Sequence, residues 1–531
     1  MKKPKILLIL IILLSCANAQ TPSIKWWFDT KDASFGQSAA GDIDGDGKLE
    51  IVFGCYRNDS CVYALNAEDG SLLWKYNTGG CNDVAPIIYD VDGDSKPDIV
   101  VPASCNPTTF CLDGQTGTVK WQTPTRGSDS PPTIADIDND GKTEILHGEF
   151  GGYVICINAE NGSKKWEIAV DTNSWIQTAP TIVDLDGDGK LDYVVGTWNF
   201  DNQDKIYAYH GDDLSLLWSY TINAYMYHGT AVADLDKDGR PELLVGAYND
   251  TLYCLNGENG TLNWKYFGSG GYIGAPATIG DIDNDGSCDV VFVSGYRVIA
   301  LSGNGIKKWD YSISGYSGAF RGVVLSDINN DPYPDVIFGN DSGKVIALNG
   351  YSGKELWTVD LAQHYGKKAF ALDHAPLIAD FDGNDSLEVF IVGGHGEYPA
   401  IENGFGRAYM VSVGKGNGPD WLMFQRDIRR QSSLCEFSTG IEDTQITPIK
   451  ETVKVFPNPV TNSTSIQFIN PKNENYTLMI YNEVGSLIQK IDNITGNDLN
   501  INNCDFESGV YFFQLQSISG VEGDGEFVLM K

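Results

Sequence analysis

The chain has 531 residues, with 37 Lys+Arg against 71 Asp+Glu and a formal net charge of −34. That charge opposes nucleic-acid backbones and anionic membrane surfaces as partners. Apolar residues make up 42% and aromatics 11%, enough to bury a core, so the acidity does not signal disorder.

The N-terminus, MKKPKILLILIILLSCANAQ, sets three lysines ahead of an apolar run that ends in Ala17-Asn18-Ala19. This pattern predicts a secretory signal peptide over 1–19, cleaved before Gln20. A lipoprotein box ending at Cys16 is the alternative, though Leu14 is bulky for it. No other apolar run is long enough to span a bilayer, so the mature chain reads as exported and soluble. Next comes SIKWWFDT, around Trp26. It matches the text that closes later repeats but has no acidic loop before it. The spacing predicts an outer strand displaced from the last unit, returning to close a ring.

From residue 42 an acidic loop recurs, with first residues Asp42, Asp90, Asp136, Asp184, Asp234, Asp281, Asp327 and Asp380, spaced 46 to 53 residues apart. An apolar run precedes each loop and another follows it. A hairpin then ends in tryptophan, at Trp74, Trp121, Trp166, Trp218, Trp264, Trp309 and Trp357. Four short strands in a period of about 40–50 residues is the signature of a propeller blade. The fold class is therefore all-β, an eight-bladed β-propeller over 22–433, with seven blades as the alternative. The recurring tryptophans read as packing residues.

Within the loops, acids fall at positions 1, 3, 5 and 9, and position 7 can offer a backbone carbonyl. The candidate metal ligands are Asp42, Asp44, Asp46, Lys48 and Glu50; Asp90, Asp92, Asp94, Lys96 and Asp98; Asp136, Asp138, Asp140, Lys142 and Glu144; Asp184, Asp186, Asp188, Lys190 and Asp192. They continue as Asp234, Asp236, Asp238, Arg240 and Glu242; Asp281, Asp283, Asp285, Ser287 and Asp289; Asp327, Asn329, Asp331, Tyr333 and Asp335; Asp380, Asp382, Asn384, Ser386 and Glu388. Lys, Arg, Ser and Tyr enter this set through their carbonyls. Oxygen ligands in this number suit Ca²⁺, and up to eight structural ions are expected. A solvated turn would tolerate drifting acids. Here positions 1 and 9 are Asp or Glu in every copy. The likeness to an EF-hand ends at position 9, because position 12 of the first loop is Phe53. A pair of acids repeated eight times singles out no catalytic carboxylate.

Eleven cysteines are present and export permits disulfides. Cys55 and Cys61 flank a short turn and are expected to bridge it. Cys105 is a partner for Cys111 or Cys81. Cys156 and Cys254 hold the place of Ala64 in its repeat and read as buried thiols. No CxxC or zinc spacing exists. The last repeat ends atypically in PDWLMFQRD, a polar linker follows over 434–450, and 451–531 alternates as a small β-sandwich.

The DxDGDGxxD/E loops resemble FG-GAP or VCBS repeats of integrin-α-type propellers, and hairpins such as VYALNAEDGSLLWKY resemble the tryptophan-docking repeats of quinoprotein (PQQ-like) propellers. Relatives that hold the quinone carry adjacent cysteines. This chain has no Cys-Cys pair, so no PQQ is expected. VKVFPNPVTNSTSIQF, YTLMIYNEVGSLIQKI and SGVYFFQLQS resemble the type A C-terminal sorting domain of type IX secretion, with Asn482 where Asp is common. The resemblance implies the type IX machinery as partner, passage through the outer membrane of a Gram-negative bacterium, and release or attachment at the cell surface.

Two functional readings compete. One is a non-catalytic binding or adhesion propeller for a glycan or a surface protein. The other is an enzyme, lyase-like on polysaccharide or, less favoured, a quinoprotein dehydrogenase. The rim opposite the acidic loops varies from blade to blade, which is where a specific site belongs. Residues there suited to a ligand are Asp129, Trp175, Tyr227, His228, Arg321, Asp373 and His374. Of these only His228, Arg321 and His374 merit a catalytic test. His147, His210 and His395 read as structural.

Overall fold

The computed structural model describes residues 21–435 and parts of 453–529. The expected signal peptide and nearly all of the expected linker lie outside the described residues. The chain divides into two compact units at 443/444.

The first unit holds eight four-stranded antiparallel sheets. In chain order each runs from an innermost to an outermost strand. The first sheet is Ser38–Gly41, Glu50–Gly54, Cys61–Asn66 and Leu72–Asn77. Its first three strands are continuous apolar text, buried on both faces, because each sheet is stacked between two others. The outermost strand alternates between exposed and packed residues. The same order repeats through the seventh sheet, whose innermost strand is Val324–Ser326.

The eighth sheet departs from chain order. Leu377–Ala379, Leu387–His395 and Phe405–Gly414 are completed by the N-terminal strand Ser23–Thr30, paired antiparallel to Phe405–Gly414. The displaced outer strand expected around Trp26 is thus found in that place. Tyr409 and Val411 of this last sheet share a core cluster with Val336 and Ile337 of the seventh, and Phe390 and Met410 share one with Ile51 and Phe53 of the first.

The segment after Gly414 corrects the sequence reading. It is not an irregular end to the last sheet. It runs past the innermost strands of successive sheets. Gly418 accepts from Asp327 N, Trp421 from Ile378 N and Leu422 from Ala40 N. Further on, Ile428 accepts from Ile134 N, Arg429 from Ile182 N, Gln431 from Val232 N and Ser432 from Ile279 N. Arg430 reaches the second and third sheets, donating to the carbonyls of Pro86 and Pro132. Six of these donors (Ala40, Ile134, Ile182, Val232, Ile279 and Ile378) stand two residues before the first Asp of their loop. An innermost strand otherwise leaves its edge N–H groups unpaired. Here one segment accepts from such a group in seven of the eight sheets and lies beside the acidic loops, with Trp421 and Arg430 fully enclosed.

Leu434 N then donates to Ile279 O, and Cys435 is disulfide-bonded to Cys288. These two residues, read as the start of the linker, are held in the first unit. The other disulfide is Cys81–Cys105. The expected Cys55–Cys61 bridge is not formed. Cys55 N does pair with Cys61 O across the hairpin, but the Cys61 thiol donates to Asp59 O, and both sulfurs stay reduced and buried. Cys156 and Cys254 are buried thiols, as their place in the repeat suggested.

In the second unit, Val453–Phe456, Ser463–Phe468 and Asp498–Asn502 form one antiparallel sheet. Leu487–Ile494, Tyr476–Asn482, Gly509–Ser517 and Gly520–Leu529 form another. Ile466 and Ile501 of the first join Leu478, Ile480, Phe513 and Leu515 of the second in one buried cluster. No helix among the described residues is long and apolar enough to cross a membrane.

Candidate functional site: acidic loops and the opposite rim

Each acidic loop lies between the innermost strand and its neighbour. In the first, Asp42 accepts from the N–H groups of Gly45 and Gly47 at 2.8 and 3.0 Å, and Asp46 accepts from Lys48 N at 2.9 Å. Gly45 and Gly47 have φ of 81° and 84°, which a glycine adopts without strain. The ninth-position acid opens the second strand and turns inward. Glu50 accepts from Ile43 N at 2.9 Å, and all eight acids at this position are at most 2% exposed. Burial pushes Glu50 and Asp335 up to about 8, Glu242 and Glu388 to about 7, and Asp98, Asp192 and Asp289 to about 6. Carboxylate oxygens of Asp42, Asp44 and Glu50 lie within 4.8 Å of one another, as do those of Asp136, Asp138 and Glu144 and of Asp184, Asp186 and Asp192. Acids gathered this closely could hold a cation, and an all-oxygen donor set fits a hard divalent one.

At the other end of the channel the innermost strands begin. Neighbouring sheets touch there: Ser130 donates to Thr178 O at 2.7 Å, and Gln177 donates to Asp129 at 3.2 Å. The sixth sheet contributes Gly274 and Ala275 to this row, and the ring of Phe320 lies where a Cβ on Gly274 would stand. A guanidinium nitrogen of Arg321 donates to Nε2 of His228. The guanidinium also lies 5.0 Å from the ring of Phe320 and 5.5 Å from that of Tyr227. Burial and the Arg321 charge hold His228 well below its ordinary value. The same causes bring His374 down to about 3. Burial raises Asp83, Asp129 and Asp373, while Arg321 draws all three back.

Phe35, Tyr272, Gly318, Phe320, Arg321, Asp341 and Asp373 line a cavity of about 310 Å³. Nε of Arg321, in its lining, has no hydrogen-bond partner among the described residues, and neither do Oε1 of Gln177 and the side-chain amide of Gln37 on the innermost strands.

Of the residues read from the sequence, Asp129, Tyr227, His228, Arg321, Asp373 and His374 converge at this mouth. Trp175 stands apart, further out. It pairs with Trp198 in a two-stranded ribbon and packs on Phe150 and Phe200 at 4.8 and 5.2 Å. Trp198 stacks on Tyr225 at 4.2 Å, then follow Tyr248, Tyr272 and Phe320 at 5.1, 5.4 and 5.9 Å. The aromatics thus form a track from the ribbon to the cavity. Trp198, Tyr248, Gln37 and Asp341 were missed in the sequence. Their signal was the longer TWNFDNQD insertion and the variation of these loops between repeats. His364 and Tyr365 belong to a short helix, Leu361–Tyr365, and pack on Tyr409 and Phe405. His147 bonds Thr109 and Gly148 O, and His210 bonds Asp192.

Five overlapping matches to the FG-GAP-like repeat cover 42–101, 90–147, 136–195, 184–245 and 234–292, and the secretion system C-terminal sorting domain matches 454–523. The chain carries FG-GAP-like repeats and ends in a type IX sorting domain. It is therefore a secreted or cell-surface protein with a propeller-like first unit. No curated protein matches it. Among solved structures it is similar to the V. cholerae biofilm matrix protein Bap1, at 17% identity and TM-score 0.55, over 76% of this chain and 94% of that one. It is also similar to Saccharomyces cerevisiae Sqt1, at 14% and 0.52, over 74% and 99%. The quinohemoprotein alcohol dehydrogenase of Comamonas testosteroni follows at 15% and 0.49, over 76% and 78%. At these identities the likeness is one of fold alone.

Proposed function

We propose that this FG-GAP-repeat protein is a calcium-stabilised, eight-bladed β-propeller with a β-sandwich sorting domain, acting outside the cell as a non-catalytic binding or adhesion module for a glycan or a surface protein. The observation that carries the reading is the cavity at the rim. It combines one guanidinium, two carboxyls and three aromatic rings with an unpartnered buried polar atom. Aromatic faces beside Arg, Asp and Gln suit saccharide hydroxyls and ring faces, and the aromatic track extends that surface outward. The channel behind the cavity is filled by the chain's own residues 418–432, so the site is a blind funnel.

The enzyme reading is weaker on its own chemistry. A general base works best with a pKa near the operating pH, and His374 lies near 3. His228 is held low and is engaged by Arg321.

The test is a glycan array probed with the purified chain, with and without Ca²⁺, beside its Arg321→Met and Tyr272→Ala variants. Binding that both variants weaken tenfold or more supports the reading. Unsaturated product released from a polyuronate would overturn it in favour of a lyase.

A further inference from the structure

The outermost strand of every four-stranded sheet in the first unit carries a β-bulge, and the bulge falls at the same place each time. The residues left out of the ladder are Lys25, Leu73, Lys120, Lys165, Leu217, Asn263, Lys308 and Leu356, each directly before the tryptophan. A bulge re-aims a side chain. Where the bulged residue is lysine, the ammonium enters the acidic loop of its own sheet.

The geometry repeats four times. Lys120 Nζ lies 2.6 Å from Asp92 and 2.9 Å from Asp98. Lys165 Nζ lies 2.6 Å from Asp138 and 2.9 Å from both Asp140 and Glu144. Lys308 Nζ lies 2.6 Å from Asp283 and 2.6 Å from Asp289. Lys25 pairs with Asp382 and lies 3.5 Å from Glu388. In every case the ammonium joins the third-position acid to the buried ninth-position acid. Those are two of the carboxylates a calcium ion would need. The four lysine side chains are only 19–24% exposed, so salt screens these contacts poorly.

Leu73, Leu217, Asn263 and Leu356 bring no cation to the loops at Asp42, Asp184, Asp234 and Asp327. Among the described residues, the side chains that reach the ninth-position acids there are neutral or weakly basic: His210 on Asp192, and Asn349 on Asp335.

We propose that the eight loops form two classes. Those beginning at Asp90, Asp136, Asp281 and Asp380 carry a tethered ammonium that stands in for calcium and competes with it. Those at Asp42, Asp184, Asp234 and Asp327 depend on the added ion. A tethered competitor acts at high effective concentration, so the lysine loops bind Ca²⁺ more weakly. The proposal rests on the loops being calcium sites, which the proposed function also assumes.

The experiment is calorimetric titration of the chelator-stripped full chain with CaCl₂, with native mass spectrometry to count ions. Two classes are expected, with at most four tight sites and the remainder at least tenfold weaker or silent. Lys120→Met and Lys165→Met keep the aliphatic stem and should each move one site into the tight class. Leu217→Lys should do the reverse and remove one tight site. That gain of a lysine keeps the test decisive where a Lys→Met variant folds poorly without calcium. Eight equivalent sites in the unaltered chain, or unchanged counts in all three variants, overturn the two classes while leaving calcium binding standing. No binding of Ca²⁺ at any loop overturns both.

Discussion

The indole of Trp26 donates to the carbonyl of Ala67 at 2.8 Å, and its ring covers Gly70, where an added Cβ would lie 2.5 Å from the indole. The same pairing joins Trp74 to Gly114 and Gly117, Trp218 to Gly257 and Gly260, and Trp309 to Gly350 and Gly353. With Trp121 and Trp264, six of the eight outermost strands thus dock on the hairpin turn of the next sheet. Because Trp26 sits on the N-terminal strand, its contact locks the eighth sheet onto the first.

Trp26→Ala removes that lock. The ring is 7% exposed, and truncating a buried tryptophan costs about 3–5 kcal/mol. The expected result is a lower urea midpoint with unchanged far-UV circular dichroism under native conditions. A midpoint within error of the parent chain would show that the N-terminal strand does not hold the eighth sheet in place.

Calcium removal should make stability fall as pH rises. The ninth-position acids have folded values of about 6 to 8, above the ordinary carboxylate value of about 4–4.5. Between these limits the folded state holds more protons than the unfolded state. Its stabilisation is complete below about pH 4 and is lost through pH 6–8. The melting temperature of the stripped chain is expected to drop from pH 5 to pH 8, and added Ca²⁺ to restore most at the upper end. A stripped chain equally stable at both pH values contradicts the buried-acid account.

Cys435→Ser should loosen the segment that fills the channel. The bond closes a loop with a sequence separation of 147, and such a cross-link contributes about 2–4 kcal/mol. Limited proteolysis is expected to cut first within 416–435 in the variant and elsewhere in the parent. Arg430→Met should act at the same place, since it strips the donor from the carbonyls of Phe424, Pro132 and Pro86. Identical cleavage patterns would sink the prediction.

Arg321→Met should raise the pKa of His228, because a positive neighbour leaves and only burial still lowers it. The same change should raise Asp83 and Asp373 further, since Arg321 draws both down. Titration followed by NMR on labelled histidine reads the first effect directly. A His228 value that does not move would place Arg321 elsewhere than across the sixth sheet.

Repetition made the architecture legible. Eight copies of one loop and seven of one hairpin fix strand order, tryptophan packing and the acidic ends of the sheets, because each depends on contacts within a repeat or with the next one. The returning N-terminal strand was legible for the same reason, through text it shares with its neighbours. Residues outside the repeat were not. The channel-filling segment pairs by backbone hydrogen bonds, which any residue type supplies, so PDWLMFQRD gave no sign of its route. The Cys288–Cys435 bond follows from that route and not from spacing, whereas Cys55 and Cys61 stand near each other in sequence with their thiols turned to other partners. At the rim, the row of variable residues could be read off the register, but which of them meet could not. That Arg321 reaches His228 is a fact of packing across three sheets that no local pattern encodes.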